Sequence, residues 1–255
     1  MAFSEDFTIM AEGTMTSASV SPRSICVAVM CFNEAASLPV VVAEITDELQ
    51  RLGGDYEVVI INDGSTDGSG EIADSLAKES AHIRVIHHPR NLGLGAVYRN
   101  AFLCGTKELT TVFPADGQFA PEIIGQFARL FDDMDLVLGY IPEFRKNRSF
   151  AARTFSWAER CLYRLLFGRF PDFQGIMMFR RELVDTIELS SSGRGWMIQM
   201  ELILRFIRKG YRVISEPTGI RARMSGESKV MNLSAIASNL RQVFALRWNL
   251  WRHPG

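Results

Sequence analysis

Short apolar runs alternate with amphipathic stretches along the chain from residue 25 onward. Near-continuous apolar runs are typical of buried strands, and they predict strands at 25–31, 56–62, 83–88 and 109–116. Apolar residues at helical spacing predict helices over 35–52 and 69–79 and a third helix that opens at Gly93. Strands and helices in this alternation indicate a parallel sheet with helices on both faces.

The pattern is less regular after residue 140. It predicts helices over 150–167, 197–208 and 232–251, with strands at 174–179 and 211–217. The predicted fold class is therefore α/β, a Rossmann-like domain with a mainly parallel central sheet and C-terminal amphipathic helices.

Polar or glycine-rich residues follow each of the first four strands. They are Asn33-Glu34, Asn62 to Ser65, Arg90 to Gly93, and Asp116 to Gln118. Parallel strands present their carboxyl ends at one edge of a sheet, where α/β proteins bind ligands. The sequence therefore predicts a binding site at this edge.

Composition narrows the function classes. The chain has 255 residues, 47% hydrophobic and 22% charged, which is enough for a sizeable core. Its net charge of −1 gives no indication of nucleic-acid binding. Four cysteines without CxxC spacing predict buried thiols in a reduced, cytoplasmic protein.

The ends of the chain differ from its middle. Residues 1–23 are polar and rich in Ser and Thr, and we expect a disordered leader. No apolar run reaches about 18 residues, so no transmembrane helix is predicted. The expected organisation is one α/β domain over 24–229 and an amphipathic helix over 230–255 that docks on a membrane or a partner.

Two strand-end loops carry candidate chemistry. Asp63, followed by glycines, can accept from a ribose hydroxyl or a base N–H; alternatively, the Ser, Thr and Asp residues of this loop only cap a helix. Asp116 and Gln118 supply the oxygen ligands that a divalent cation on a diphosphate prefers. A plain Asp-Gly turn is the alternative there.

A third string, Arg223 to Lys229, places two cations around a glycine turn and could hold an anion. Together the strings FNEAASL, IINDGSTDGS, RNLGLGAVYRNAF, ADGQFAPE, IQMEL, GYRVISEP and RMSGESK resemble a known family, in this order. Over residues 24–232 the chain resembles a family 2 glycosyltransferase of the dolichyl- or polyprenyl-phosphate sugar synthase type.

The resemblance implies a GT-A fold and an inverting, metal-dependent transfer from a UDP- or GDP-sugar to a polyprenyl phosphate. It implies Mg²⁺ or Mn²⁺ on Asp116 and Gln118, with Glu201 as a further catalytic candidate. The implied donor site is Phe32, Glu34, Asp63, Arg90, Gly93 and Asp116. The implied acceptor-phosphate site is Arg145, Arg223, Ser228 and Lys229.

The acceptor decides which catalytic groups are needed. A phosphate has a second pKa near 6 and is largely a dianion at neutral pH, so it needs no general base. A hydroxyl acceptor needs one, and Glu201 is the candidate. The alternatives to lipid-phosphate transfer are a soluble transferase acting on a hydroxyl, or a catalytically weak nucleotide-sugar-binding partner protein.

Three positions depart from the family pattern. Pro114 replaces an aspartate that many relatives carry, which removes a carboxylate from the metal region. The segment Gln174 to Met177 lacks the usual cation, which suggests an altered sugar or acceptor pocket. Met30 replaces a customary proline, a difference that we expect to be structural.

The last helix offers a route to a membrane. One apolar stripe, interspersed with arginines, favours an interfacial position at the cytoplasmic membrane face. Packing of the same stripe on the catalytic domain is an equal alternative. The stripe is Leu233, Ile236, Ala237, Leu240, Phe244, Trp248 and Trp251.

Overall fold

The computed structural model describes residues 22–142, 161–168, 170–191, 193, 195–222 and 233–252, without the side chains of 233–240. Within these residues seven strands form one sheet in the order β3-β2-β1-β4-β6-β5-β7. The strands are β1 Ile25–Cys31, β2 Tyr56–Asn62, β3 Ile83–His87, β4 Leu109–Pro114, β5 Leu136–Tyr140, β6 Met177–Arg180 and β7 Val213–Pro217.

Neighbouring strands pair in parallel except at β6. This strand runs antiparallel to both β4 and β5. The helices are α1 Leu38–Leu52, α2 Ser69–Glu79, α3 Leu94–Cys104, α4 Glu122–Ala128, α5 at 161–167, α6 Arg181–Val184, α7 Met197–Arg208 and α8 Leu233–Arg252.

Alternation along β1 divides the core into two layers. Ile25, Val27 and Val29 face a cluster that contains α1 and α4. Cys26 and Ala28 point the other way, into a cluster with α3 and α7. Because both faces are covered, the strands can be apolar at every position. The prediction of a sheet buried on both faces is confirmed.

The helix α8 packs on α7 through a third cluster. Val243, Leu246 and Leu250 are each 1% exposed and meet Met200 and Leu204 of α7. These three residues belong to a different face from the predicted stripe. Of that stripe, Phe244, Trp248 and Trp251 are exposed.

The predicted boundaries needed small corrections. β3 ends one residue earlier than predicted, at His87, and β4 ends two residues earlier, at Pro114. α1 begins at Leu38 after a turn, β6 begins at Met177 instead of 174, and β7 begins at Val213 instead of 211. The predicted leader lies outside the described residues apart from its last two positions.

Candidate active site

The strand order reverses direction between β1 and β4. The chain moves outward from β1 through β2 to β3, and then crosses back to place β4 on the other side of β1. Met30 and Pro114 are register partners at the carboxyl ends of these two strands. Crevices at such reversal points are where open α/β sheets bind ligands. Glu34 and Asp116 follow the two strands and flank this point.

Side chains join the loop after β1 to the loop after β2. Asn33, which has a φ of 55°, donates its backbone N–H to Oγ of Ser65 at 3.0 Å and accepts at Oδ1 from the Thr66 N–H at 2.8 Å. The Glu34 N–H donates to Oγ of Ser69 at 2.9 Å. The Asp67 carboxylate accepts from the Ser69 N–H at the start of α2 and from the Ala35 N–H after β1, both at 3.0 Å. The polar residues here therefore cap α2 and also bridge two strand ends.

The Asp63 carboxylate is buried at 3% exposure and accepts four hydrogen bonds. Oδ1 accepts from Nδ1 of His88 at 2.6 Å and from the Leu92 N–H at 2.9 Å. Oδ2 accepts from Nδ2 of Asn91 at 2.9 Å and from the Gly93 N–H at 3.0 Å. A carboxylate offers about four acceptor sites. Asp63 therefore organises the 88–93 segment, and these contacts do not favour the direct nucleoside contact that the sequence suggested.

His88 is a site residue that the sequence analysis missed. It is 7% exposed, with Nδ1 on Asp63 and Nε2 at 2.6 Å from Nδ2 of Asn100. An Nδ1–H tautomer satisfies both contacts, because Nε2 then accepts from the amide. The sequence did contain a sign of this role. His88 ends the predicted third strand, just before Pro89-Arg90, which places it at the ligand-binding edge of the sheet.

Gly64 and Gly93 shape the expected donor loop. Gly64 has a φ of 67°, and a Cβ there would collide with the backbone of Arg90 and Asn91. Gly93, with a φ of 90°, precedes α3. The Arg90 side chain is exposed and Phe32 is half-buried. The two glycines thus allow the segment to pass directly over the end of β2.

Asp116, Gly117 and Gln118 form a tight turn after β4. Gly117 has a φ of 73°, and the Gln118 N–H donates to Oδ1 of Asp116 at 3.1 Å. The Gln118 carbonyl accepts from the Arg221 N–H at 2.7 Å. Asp116 is 7% exposed. The turn therefore holds one carboxylate and one amide at the reversal point.

This pair fits a cation that receives most of its ligands from a bound diphosphate. Mg²⁺ keeps several non-protein ligands and needs only one or two protein carboxylates. Over the described ranges, no group of three or more His, Cys, Asp or Glu side chains could hold a metal by itself. The chemistry of Asp116 and Gln118 is consistent with a metal that arrives with the nucleotide.

Glu201 lies inside the protein at 0% exposure. Its carboxylate accepts from the Ser190 N–H at 2.9 Å, from the Ser191 N–H at 2.7 Å and from Nε of Arg205 at 3.0 Å. Burial favours a raised pKa for Glu201, but the hydrogen bonds from Ser190 and Ser191 lower its pKa overall. The group is ionised and enclosed, so its contacts favour a loop-holding role over proton abstraction.

The loop that Glu201 holds reaches α3. Nη1 and Nη2 of Arg99 donate to the carbonyls of Leu189 and Ser191 at 3.0 and 2.6 Å. A Cβ on Gly95 would overlap the Gly193 carbonyl, so the loop packs against the first turn of α3. Glu201 and Arg99 thus anchor this loop beside the expected diphosphate end of the donor site.

The altered segment at Gln174 borders a cavity of about 160 Å³. The cavity is lined by Tyr140, Ile141, Pro142, Asp172 and Gln174. Oε1 of Gln174 is buried and has no hydrogen-bond partner within the described part of the chain. β5 runs parallel to β4 in the sheet, so Tyr140, the last residue of β5, lies at the same edge as Asp116. The cavity is therefore on the binding side of the sheet.

The expected acceptor-phosphate residues Arg145, Arg223, Ser228 and Lys229 lie outside the described residues. Their role stays a prediction. Across the ranges that are described, no helix has both the length and the apolar character required to cross a bilayer.

A mostly parallel seven-stranded sheet with a polar rim at its reversal point defines a Rossmann-like α/β domain that binds its ligand at that rim. The model of the family named Glycosyl transferase family 2 matches residues 26–188. The chain belongs to this family, and it is a glycosyltransferase.

Two relatives extend the similarity over most of the chain. A Micrococcus luteus protein named undecaprenyl-phosphate mannosyltransferase is 27% identical over 85% of this chain and 93% of its own length. A Mycolicibacterium smegmatis protein named polyprenol monophosphomannose synthase is 30% identical over 83% of this chain and 80% of its own. The resemblance to the polyprenyl-phosphate sugar synthase type is thus confirmed.

Solved structures agree on the fold. Glucosyl-3-phosphoglycerate synthase from Mycobacterium tuberculosis, in complex with Mn²⁺, UDP and phosphoglyceric acid, matches with a TM-score of 0.64 and 20% identity. The match covers 90% of this chain and 78% of that one. A further structure of that enzyme contains Mg²⁺ and UDP, with a TM-score of 0.63 and 20% identity over 90% of this chain and 79% of that one.

Proposed function

We propose that the protein transfers a sugar, with inversion, from a UDP- or GDP-sugar to a polyprenyl phosphate. The observation that carries this is the similarity to two named polyprenyl-phosphate mannosyl-transferring enzymes over more than four fifths of the chain. The first name specifies undecaprenyl phosphate, and the second specifies the product polyprenol monophosphomannose. A phosphate dianion needs no base, which agrees with the enclosure of Glu201.

The donor lies at the β1–β4 reversal point in this proposal. Glu34 and the segment from Arg90 to Gly93 line the nucleoside and diphosphate, with Phe32 beside them. Asp63 acts through the hydrogen bonds that shape this segment. The half-buried aromatic ring of Phe32 suits a nucleobase, which is apolar on its faces.

A divalent cation, Mg²⁺ or Mn²⁺, is held by Asp116 and Gln118 together with the diphosphate. When bound, it supplies Lewis-acid stabilisation of the departing diphosphate. The acceptor phosphate meets Arg145, Arg223, Ser228 and Lys229. Catalysis then depends on holding the acceptor in line with the anomeric carbon.

The test is a transfer assay with purified full-length protein, Mn²⁺ and a panel of UDP- and GDP-hexoses. One arm offers a polyprenyl phosphate, and the matched arm offers the polyprenyl alcohol of the same chain length. We expect a glycosylated lipid phosphate by mass spectrometry and nothing from the alcohol. Transfer to the alcohol alone would establish a hydroxyl-directed enzyme, and specific donor binding without any transfer would favour a binding protein.

A further inference from the structure

The outer face of α8 is the most aromatic surface of the described chain. Phe244, Trp248 and Trp251 are 55%, 53% and 64% exposed, and within the described residues they are the only exposed Phe or Trp side chains. Their spacing of four and three residues places them on one side of the helix. The opposite side, with Val243 and Leu246, is buried against α7. The aromatic face is therefore held rigidly outward.

Arginines accompany these rings. Arg241 and Arg252 are exposed, and the Arg252 guanidinium lies 5.0 Å from the ring centroid of Trp248. Trp248 and Trp251 are themselves in contact, with their centroids 5.3 Å apart. No Asp or Glu follows Glu227 in the sequence. The face thus combines aromatic area with positive charge.

We propose that this face, formed by Arg241, Phe244, Trp248, Trp251 and Arg252, docks the enzyme on an anionic membrane surface. Tryptophan prefers the boundary between headgroups and acyl chains, and arginine is attracted to anionic lipid. A helix that lies flat in this boundary buries one apolar face and keeps its cations at headgroup level. The choice of a membrane as the docking partner rests on the proposed function, because a lipid-phosphate acceptor is presented at a membrane surface.

The same helix is connected to the candidate active site. Nδ2 of Asn249 donates to Oγ of Ser190 at 3.3 Å, and a Cβ on Gly193 would overlap the Gln242 side chain. Ser190 and Gly193 belong to the loop that packs on the first turn of α3. Docking through α8 therefore sets the position of the donor site relative to the bilayer.

The experiment measures co-sedimentation of the full-length protein with vesicles of phosphatidylcholine alone or mixed with phosphatidylglycerol. We expect binding to the anionic vesicles only. The double variant W248A/W251A should bind at least about tenfold more weakly, and R241Q/R252Q should lose about fivefold per arginine. V40S, which alters an exposed apolar residue on α1, is the matched control and should bind normally. Unchanged melting temperatures verify that the variants fold.

A second measurement separates this inference from the proposed function. Transfer is compared between a short-chain, water-soluble polyprenyl phosphate and a long-chain one in anionic vesicles. W248A/W251A should keep the first activity and lose most of the second. If the wild-type protein glycosylates the soluble acceptor but does not bind vesicles, the docking surface is wrong and the proposed function stands. If it binds anionic vesicles but transfers to neither acceptor, the proposed function is wrong and the docking surface stands. If the wild-type protein self-associates and does not bind vesicles, and W248A/W251A abolishes the self-association, the face is an interface between copies of the chain.

Discussion

Nδ1 of His88 donates to the Asp63 carboxylate across 2.6 Å, and this buried contact joins the end of β2 to the segment after β3. The same carboxylate accepts two backbone N–H groups, from Leu92 and Gly93, at the entrance to α3. Asp63 thus ties three parts of the candidate donor site into one unit. Since its acceptor capacity is filled, we infer that it acts on the nucleotide through the backbone that it holds.

The substitution D63N should therefore destabilise the fold and weaken donor binding together. Its amide N–H₂ would face N–H donors, and the loss of a buried charged partner costs about 3 kcal/mol. The control is D74N, because Asp74 pairs with the neighbouring His87 at 3.0 Å on the surface, with 54% side-chain exposure. That exposed pair contributes at most about 1 kcal/mol.

Chemical denaturation gives the free energy of unfolding of both variants, and calorimetry gives their affinity for UDP and GDP with Mn²⁺. A D63N protein with wild-type stability that fails to bind nucleotide would contradict the positioning role. It would instead indicate a direct contact between Asp63 and the ligand.

Alanine substitutions at two glycines with similar backbone angles can separate the effect of steric overlap from the effect of backbone strain. Gly64 and Gly53 have φ values of 67° and 75°, but a Cβ would collide with Arg90 and Asn91 only at Gly64. G53A should cost about 1 kcal/mol from the left-handed backbone alone. G64A carries the same strain, displaces the 90–93 segment as well, and should weaken donor binding at least about tenfold through that misplacement. Equal effects of the two variants on nucleotide affinity would show that the close approach is unimportant.

The sequence predicted the central strands well because both layers of the core depend on them. β1 and β2 were located to the residue, since a strand buried on both faces is apolar along its whole length. β5 and α4 were missed. β5 is a five-residue strand that directly follows an acidic turn, and α4 spans only seven residues, which is too short for a clear helical period.

The site was predictable by position more than by role. Strand ends identified the rim, and the family strings identified Asp116 and Gln118. The filled acceptor sites of Asp63 depend on donors 25 or more positions away in the sequence. The enclosure of Glu201 depends on contacts between its helix and one loop. A sequence pattern cannot show which donors surround a carboxylate.

The metal proposal predicts opposite results for two neighbouring positions. D116N should lower transfer about a hundredfold, because the cation loses one oxygen ligand and one negative charge beside it. Metal-dependent nucleotide binding should weaken as well. P114D adds a carboxylate two residues before Asp116, at the end of β4 beside Met30. It should tighten Mn²⁺ binding in the presence of UDP or GDP.

Isothermal calorimetry with and without Mn²⁺ measures both effects, and D133N, which alters a carboxylate that is 83% exposed, serves as the control. Nucleotide affinity that is unaffected by Mn²⁺ in the wild type, and transfer that survives D116N, would together contradict metal dependence.

Glu201 makes a pH-dependent contribution to stability whose sign follows from its pKa. Hydrogen bonds from Ser190 and Ser191 outweigh burial and lower this pKa below the ordinary value of about 4.3. A lowered folded-state pKa means that the ionised group stabilises the fold above the unfolded pKa, and that this contribution is lost as the pH falls through the folded pKa. E201Q should therefore lose about 3 kcal/mol near pH 7, and its deficit should shrink below about pH 4.

The matched control for E201Q is E216Q. Burial raises the pKa of Glu216, so its ionised form is the costly one, and glutamine there should be neutral or stabilising near pH 7. Unfolding by denaturant at a series of pH values measures the free energy of unfolding of both variants.

The transfer rate of E201Q, assayed well below its melting temperature, then decides the role of the carboxylate. A folded E201Q protein should still glycosylate a lipid phosphate, because the acceptor dianion needs no base. Transfer to a hydroxyl acceptor that E201Q abolishes, with donor binding and stability intact, would instead identify Glu201 as a general base.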